Sequence, residues 1–159
     1  MKKRNIITTI LAIVLIAIWS VYFSSHKGQN TSECGSYSQK EINMGNKLIK
    51  VDIADDDCKR SLGLSGRRSL KDDEGMLFIF DKVGNYGFWM KDMLFPIDII
   101  WADADLNVVG IEKDALPSTY PEVFGQNYVS KYVLELSAGY AFKNNITVGN
   151  KINFSETSI

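Results

Sequence analysis

The apolar residues of this chain beyond position 44 fall into short runs that end at Gly, Pro, Asn or Asp. Runs of about four to eight residues are typical of strands, whereas a helix needs a longer pattern. Residues 47–55 alternate apolar and polar side chains, which is the period of a half-buried strand. Pro96 interrupts the longest run, residues 87–101, and excludes a continuous helix there. The pattern therefore predicts an all-β domain, built as a compact β-sandwich or barrel-like fold.

The same reasoning places the individual elements. One short helix is predicted at residues 56–62, because acids begin the segment, basic residues follow and Gly63 is a stop signal. A helical turn or two is predicted at residues 137–145. A long loop is predicted at residues 112–131, because this segment contains Pro117, Pro121 and Gly125 and few aliphatic residues. Long loops of this kind are often functional. The predicted strands are residues 47–55, 75–80, 86–90, 97–101, 108–111, 131–136 and 146–154.

The beginning of the chain has a different character. Residues 1–5 form a basic tail, and residues 6–23 carry no charge over roughly eighteen positions, about the shortest length that spans hydrocarbon as a helix. We expect a single-pass transmembrane helix that anchors the protein in the lipid bilayer of the cell membrane. The positive-inside rule then keeps the N-terminus cytoplasmic and places the following domain outside. The alternative is a cleaved signal segment, which would make the domain secreted or periplasmic.

Residues 24–43 are rich in Ser, Gly, Asn and Gln and have few large aliphatic side chains. Such a segment cannot bury enough apolar surface to offset its ordering entropy, so it is predicted to be a flexible linker. The β-rich domain would then occupy residues 44–159.

Charge and residue types exclude several functions. The formal net charge is -1, and the first 27 residues contribute +4 without any acid, so residues 28–159 carry -5. This acidic balance argues against nucleic acid as a partner. The single histidine, His26, lies in the predicted linker, so histidine-ligated metals and histidine-based triads are excluded from the domain. Asp103, Asp105 and Asn107 resemble the start of a calcium loop, but Val108 stands where that loop needs glycine. We predict no metal and no cofactor.

The chain has two cysteines, Cys34 and Cys58. Outside the cytoplasm they could form a disulfide, whereas in the cytoplasm both thiols would stay free. The sequence leaves these alternatives open.

Three successive segments contain motifs in a fixed order: GLSGRRSLKDDEGMLFIF, FWMKDMLFPIDIIWADADLNVVGI and YVLELSAGYAFKNNITVGNKI. Together they resemble the domain of unknown function 192 family over about residues 51–152. The resemblance implies a compact β-sandwich-like domain that is often exported, and it implies no established activity. Arg67 matches the arginine of that family's Gly-Leu-Met-x-Arg segment. Asp92 and Met93 depart from the family's Asn-Thr pair, and Asn150 departs from its usual Asp.

Charged residues inside the apolar run 87–101 mark the candidate site. A charge taken from water is costly unless another charge or a hydrogen-bonding group meets it. Asp98 lies in a predicted strand whose two faces both look covered, and Glu135 lies among apolar residues of another predicted strand. We hypothesise a small polar pocket ringed by aromatic side chains, and its candidate residues are Arg67, Trp89, Lys91, Asp98 and Glu135. The alternative is that Asp98 caps a turn or accepts backbone N–H bonds, while Lys91 and Glu135 are solvated.

Three classes of function remain. The first choice is a binding module that holds a small molecule or a cell-envelope polymer at the outer face of the membrane. The second is an envelope hydrolase or lyase that uses Asp98 and Glu135 as an acid and base pair. Because the domain lacks histidine and an evident nucleophile, we lean against an enzyme. The third is a structural or assembly domain, which would show an exposed apolar patch.

Overall fold

The computed structural model describes residues 34–155. The chain divides into two units, residues 1–36 and 37–159, and the second contains all the elements described below. The strands are β1 Gln39–Met44, β2 Lys47–Ala54, β3 Glu74–Asn85, β4 Ile97–Ala102, β5 Val108–Ala115, β6 Val129–Ser137 and β7 Ile152–Phe154. The helices are α1 Asp57–Leu62, α2 Tyr140–Lys143 and one 3-10 turn, Pro117–Thr119.

All seven strands belong to a single sheet in the order β5-β4-β6-β3-β2-β1-β7. Its pairs are antiparallel except for β2 and β3, which run parallel and are connected through α1. The sheet curls far enough for the start of β5 to contact the segment before β7. The Val108 N–H donates to Asn150 O at 2.8 Å, and the Gly149 N–H donates to Val108 O at 2.9 Å. The fold is therefore an all-β half-barrel, so the barrel-like prediction is confirmed and the two-sheet sandwich is wrong.

Side chains alternate between two faces of each strand, and both faces of this sheet are covered. The inner face is the one that the curl encloses, and its buried cluster takes residues from all seven strands and from α2. The outer face carries a second cluster, which is covered by residues from the α1–β3 connection and from the segment between β3 and β4. Representative members are Ile42, Leu77, Ile100 and Leu134 for the inner face, and Met76, Phe78, Ile99, Trp101 and Val133 for the outer face.

The short helix α1 forms where its signals predict it. Asp56 is the N-cap, and its side chain accepts a hydrogen bond from the Lys59 N–H at 2.8 Å. Gly63 ends the helix with a φ of 54°, a backbone conformation that suits glycine. Leu64 then buries its side chain in the outer-face cluster, so α1 leads the chain across that face toward β3.

The third strand differs from its prediction. Two strands were expected at residues 75–80 and 86–90, but β3 continues without a break to Asn85. Its pairing with β6 shifts register between Ile79 and Gly84. This irregularity lets β3 include residues that are typical of turns. Residues 86–90 do not form a strand, and within them Phe88 pairs with Phe124 in an isolated bridge.

Three other boundaries also move. The linker was predicted at residues 24–43, but its end is a strand because β1 begins at Gln39. In that strand Ile42 and Met44 are buried, although their neighbours in the sequence are polar. The predicted loop 112–131 is shorter, because β5 extends to Ala115 and β6 begins at Val129. Only Ile152–Phe154 of the predicted last strand forms a strand. The residues before it form a turn, in which the Thr147 N–H donates to Asn150 Oδ1 at 2.8 Å.

The predicted basic tail, the transmembrane or signal segment at residues 6–23 and the first part of the linker lie outside the described residues. Between residues 34 and 155, no helix has the length and apolar character that a membrane crossing requires.

Candidate functional site

Asp98 is fully buried in β4, and its carboxylate is held by backbone groups. It accepts hydrogen bonds from the Asp114 N–H at 2.9 Å, the Gly139 N–H at 3.2 Å and the Ala141 N–H at 2.7 Å. These donors belong to the end of β5 and to the turn that starts α2. Several N–H donors can stabilise a buried carboxylate without any cation. Asp98 therefore connects β4, β5 and α2, and its role is the structural one considered as the alternative.

Glu135 lies on β6, next to β4, but it faces the other side of the sheet. In the β4–β6 pairing, Asp98 is opposite Leu136 and Ile99 is opposite Glu135. Directly opposed residues share a face and neighbouring residues do not, so the two carboxyl groups lie on opposite faces. The proposed pair of Asp98 and Glu135 as acid and base is wrong, because no substrate group can contact both.

The surroundings of Glu135 are unlike those of Asp98. It lies in the middle of the sheet on the outer face, between Met76 of β3 and Ile99 of β4. It is only 5% exposed, and its Oε2 has no hydrogen-bond partner among the described residues. Burial raises the pKa of this carboxyl group from 4.5 to about 8, and the positive charge of Arg67 opposes the rise only in part. Glu135 is thus a buried acid that the structure leaves without a partner of its own.

Arg67 is positioned by the turn that follows α1. Its backbone N–H donates to Leu64 O at 3.1 Å, and its Nη2 donates to Asp52 Oδ2 at 2.8 Å. The guanidinium also lies over the ring of Tyr37, 5.5 Å from the ring centroid. The Arg67 side chain is 30% exposed, whereas Glu135 is buried. Asp52, Arg67, Glu135 and Tyr37 form what we call the polar cluster. Arg67 is its partly exposed cation, and the Arg67 Nη2 already donates to Asp52.

Tyr37 completes the cluster on the side of β1 and β2. Its hydroxyl is buried and has no hydrogen-bond partner within residues 34–155. Burial raises the pKa of this hydroxyl, and the charge of Arg67 acts in the opposite direction. Glu135 and Tyr37 thus place two unsatisfied polar groups on the outer face, within the electrostatic range of the same arginine.

The strand register reveals a row of acids that the sequence alone did not. Across the outer face, successive strands place Asp52, Met76, Glu135, Ile99 and Glu112 side by side. Neighbouring strands are about 4.8 Å apart, so the three acids are separated by roughly 10 Å with an apolar residue between each. Burial raises the pKa of Glu112, and the negative charge of Glu122 adds to that rise. We call Asp52, Glu135 and Glu112 the acid row.

Trp89 and Lys91 do not join Glu135. Met90 and Met93 of the same segment pack into the outer-face cluster, while Trp89 is 55% exposed and Lys91 is also exposed. The Trp89 ring contacts the ring of Tyr120, with a centroid distance of 6.3 Å and an angle of 77°. Of the five residues predicted to share a pocket, Arg67 acts electrostatically on Glu135. Asp98 lies on the opposite face of the sheet, and the side chains of Trp89 and Lys91 are exposed.

The residues that resemble the start of a calcium loop form a turn between β4 and β5. Asp103 Oδ1 accepts hydrogen bonds from the backbone N–H groups of Asp105 and Asn107, both at 2.9 Å, so it organises the β4–β5 turn. Among the described residues, no group of three or more potential metal-binding side chains occurs.

Neither Cys34 nor Cys58 is a free thiol. Their pairing with each other stays a prediction, which peptide mapping without reduction checks.

The fold and the site define a class: a half-barrel domain whose outer face carries a buried acid beside an arginine. The sequence profile of a family described as uncharacterised, domain of unknown function 192, matches residues 39–154. This match includes most of the chain and all seven strands. The chain belongs to that family.

Two crystal structures show the same fold. One is a protein from Sinorhizobium meliloti 1021 that is described as a proposed transcription regulator; it is 26% identical, with a TM-score of 0.71 over 75% of this chain and 95% of that chain. The other is a protein of unknown function from Novosphingobium aromaticivorans DSM 12444; it is 22% identical, with a TM-score of 0.69 over 79% of this chain and 98% of that chain. No curated protein is significantly similar to the chain.

Proposed function

We propose that this protein is a binding module for a small molecule or a cell-envelope component, and that the ligand contacts the outer face at Glu135 and Arg67. The observation that carries the proposal is the buried Oε2 of Glu135, which has no hydrogen-bond partner among residues 34–155. A buried polar group left unpaired costs about 1–3 kcal/mol, and native proteins keep few of them. A ligand that supplies the missing partner would recover this free energy on binding.

The rest of the cluster supports the same assignment. The side chain of Arg67 is held by Asp52 and Tyr37, so its position is fixed before any ligand arrives. Apolar residues flank the carboxyl group on both neighbouring strands, as is usual in small-molecule sites with a few polar groups for orientation. Preorganised polar groups among apolar side chains favour binding because little entropy is lost on association.

We further propose that the N-terminal segment, residues 6–23, displays the domain on the outer side of the membrane. The uncharged length of that segment and the three basic residues before it support this topology. The absence of a free thiol at either cysteine is also expected of an oxidising compartment. Protease treatment of intact cells should release the domain. Complete protection in cells whose surface proteins are cleaved would contradict the topology.

A thermal-shift screen tests the binding proposal. The full chain is screened against envelope sugars, short peptides and polar small molecules, in parallel with the variants Glu135→Gln and Lys91→Gln. We expect a ligand whose stabilisation is lost in Glu135→Gln and kept in Lys91→Gln, because the Lys91 side chain is exposed whereas Glu135 is buried. Ligands whose stabilisation is unchanged by Glu135→Gln would show that the site lies elsewhere.

An assembly role is the second candidate, and one observation favours it. Trp89 and Tyr120 are 55% and 47% exposed and contact each other, and Leu94 is 62% exposed. Large apolar side chains that adjoin on a surface are typical of docking sites. A change in oligomeric state on Trp89→Ala, measured by light scattering, would support this role over ligand binding.

A further inference from the structure

We propose that the ligand of the Glu135 site is an organic cation, with an ammonium or guanidinium group carried on an apolar body. This inference rests on the proposed function and adds the chemical class of the ligand. The carrying observation is that Glu135 has no ion pair within residues 34–155, although it lies in the acid row; Arg67 donates its Nη2 to another member of that row, Asp52.

The position of Glu135 in the row explains why it lacks a counter-charge. Asp52 is paired with Arg67 and also accepts a hydrogen bond from Gln39 Nε2 at 2.8 Å. Glu112 is part-exposed and can be hydrated. Glu135 is buried and has neither a direct ion pair among the described residues nor much water, although Arg67 is close enough to act on it electrostatically. A ligand cation would act in the same direction as Arg67 and favour the ionised carboxylate.

An organic cation fits this site better than a metal ion. Within residues 34–155, no three potential metal-binding side chains come together, and a hard cation needs several oxygen ligands at once. The strand positions on either side of Glu135 are the apolar residues Met76 and Ile99. Leu64, Met90 and Met93 belong to the buried cluster of the same face. These side chains match a hydrocarbon body, and methionine adapts its shape to different ligands.

The charge of the whole domain is consistent with such a ligand. Residues 28–159 carry a net charge of -5, so a cation approaches a negative surface while an anion is repelled. Of the other polar groups on this face, the Tyr37 hydroxyl is buried and unpaired, so it offers a hydrogen bond to a polar group elsewhere on the ligand.

Three probes of the same shape separate charge from apolar contact: cyclohexylamine, cyclohexanol and cyclohexanecarboxylate. Binding to the full chain is measured by calorimetry at pH 8. We expect cyclohexylamine to bind about tenfold more tightly than cyclohexanol, since one charge contact commonly contributes that much, and we expect no binding of the carboxylate. Equal or tighter binding of cyclohexanol or of the carboxylate would overturn the inference.

Two variants assign the effect to Glu135. Glu135→Gln keeps the shape of the side chain and should lose the preference for the amine. Asp81→Asn removes one acid from an exposed position of β3 and should behave as the unsubstituted protein.

The outcomes distinguish this inference from the proposed function. If the thermal-shift screen finds a neutral or anionic ligand that depends on Glu135, the binding module stands and the cationic class is wrong. If neither the screen nor the three probes give binding that depends on Glu135, the proposed function fails and this inference fails with it.

Discussion

The two buried carboxyl groups of the sheet, Asp98 and Glu135, lie on adjacent paired strands and have opposite surroundings. Asp98 is the second residue of β4, close to a turn and to the start of α2, where backbone N–H groups are free to bond a side chain. Glu135 is in the middle of β6, where the backbone N–H groups are used by the neighbouring strands. The same chemical group is therefore a structural connection at a strand end and an unsatisfied site at the sheet centre.

Replacing Asp98 should have the largest effect on stability. Asp98→Ala leaves the N–H groups of Asp114, Gly139 and Ala141 without their acceptor. We expect a loss of about 3 kcal/mol or more in the free energy of unfolding, measured by urea denaturation, because each buried donor left unpaired is costly. Asp98→Asn keeps one acceptor oxygen and should lose less. A loss within about 0.5 kcal/mol for Asp98→Ala would mean that water replaces the carboxylate.

Glu135 should instead control how stability depends on pH. Its pKa is about 8 in the folded protein and 4.5 when unfolded, so between these values the folded state holds a proton that the unfolded state has lost. The free energy of unfolding therefore falls as pH rises through this window, by at most about 1.4 kcal/mol per pH unit, and this contribution is constant below and above it.

Urea denaturation at several values between pH 5 and pH 9 measures this slope. Glu135→Gln should flatten the profile and should be more stable than the unsubstituted protein at the high end. Asp81→Asn, which removes an exposed acid, is the matched control and should run parallel to the unsubstituted protein. A Glu135→Gln profile with an undiminished slope would assign the pH dependence to other groups.

Arg67→Gln should have a moderate effect on the free energy of unfolding and should also change how that free energy depends on pH. The ion pair with Asp52 is partly exposed, so its loss should cost about 1 kcal/mol or less. Because the charge of Arg67 lowers the pKa of Glu135, its removal should move the fall in stability toward higher pH. The midpoint of that fall, read from the same denaturation series, is the measurement. A downward shift would contradict the proximity of the two groups.

The smallest effects are expected at Trp89 and Lys91. Both side chains are exposed, and substitutions at such positions usually change the free energy of unfolding by no more than about 0.5 kcal/mol. Trp89→Ala and Lys91→Gln should also leave the pH profile unchanged. If Lys91→Gln moved the profile, the charge of Lys91 would have to act on Glu135 as that of Arg67 does.

The sequence predicted those parts of the fold that local patterns determine. Alternation identified β2, apolar runs identified β4 and β6, and the acidic start and glycine stop identified α1. It missed β1, because the buried Ile42 and Met44 lie among polar residues that resemble a linker. It also could not place Asp52 and Glu112 in one row with Glu135, since that depends on the strand order, which brings β6 between β3 and β4.

The site prediction failed for a related reason. The sequence shows that Asp98 is embedded among apolar residues, but it does not show whether a cation or a set of backbone N–H groups will meet it. Two of those donors, Gly139 and Ala141, are more than forty positions away, and the third, Asp114, belongs to the next strand. Glu135 could be singled out because its charge interrupts an apolar strand, and Arg67 because it matches the arginine of the family motif. That they form a binding site stays a prediction.

The pairing of β1 with β7 has a consequence for biosynthesis. Ile42 is opposite Phe154, so the first strand of the half-barrel receives its second neighbour only from the last. A nascent chain that has emerged as far as α2 still presents β1 as an unprotected edge, and the barrel seam between β5 and the residues before β7 is open. Closure of the domain must wait until synthesis has passed residue 154, so this topology favours folding after the whole domain has been delivered.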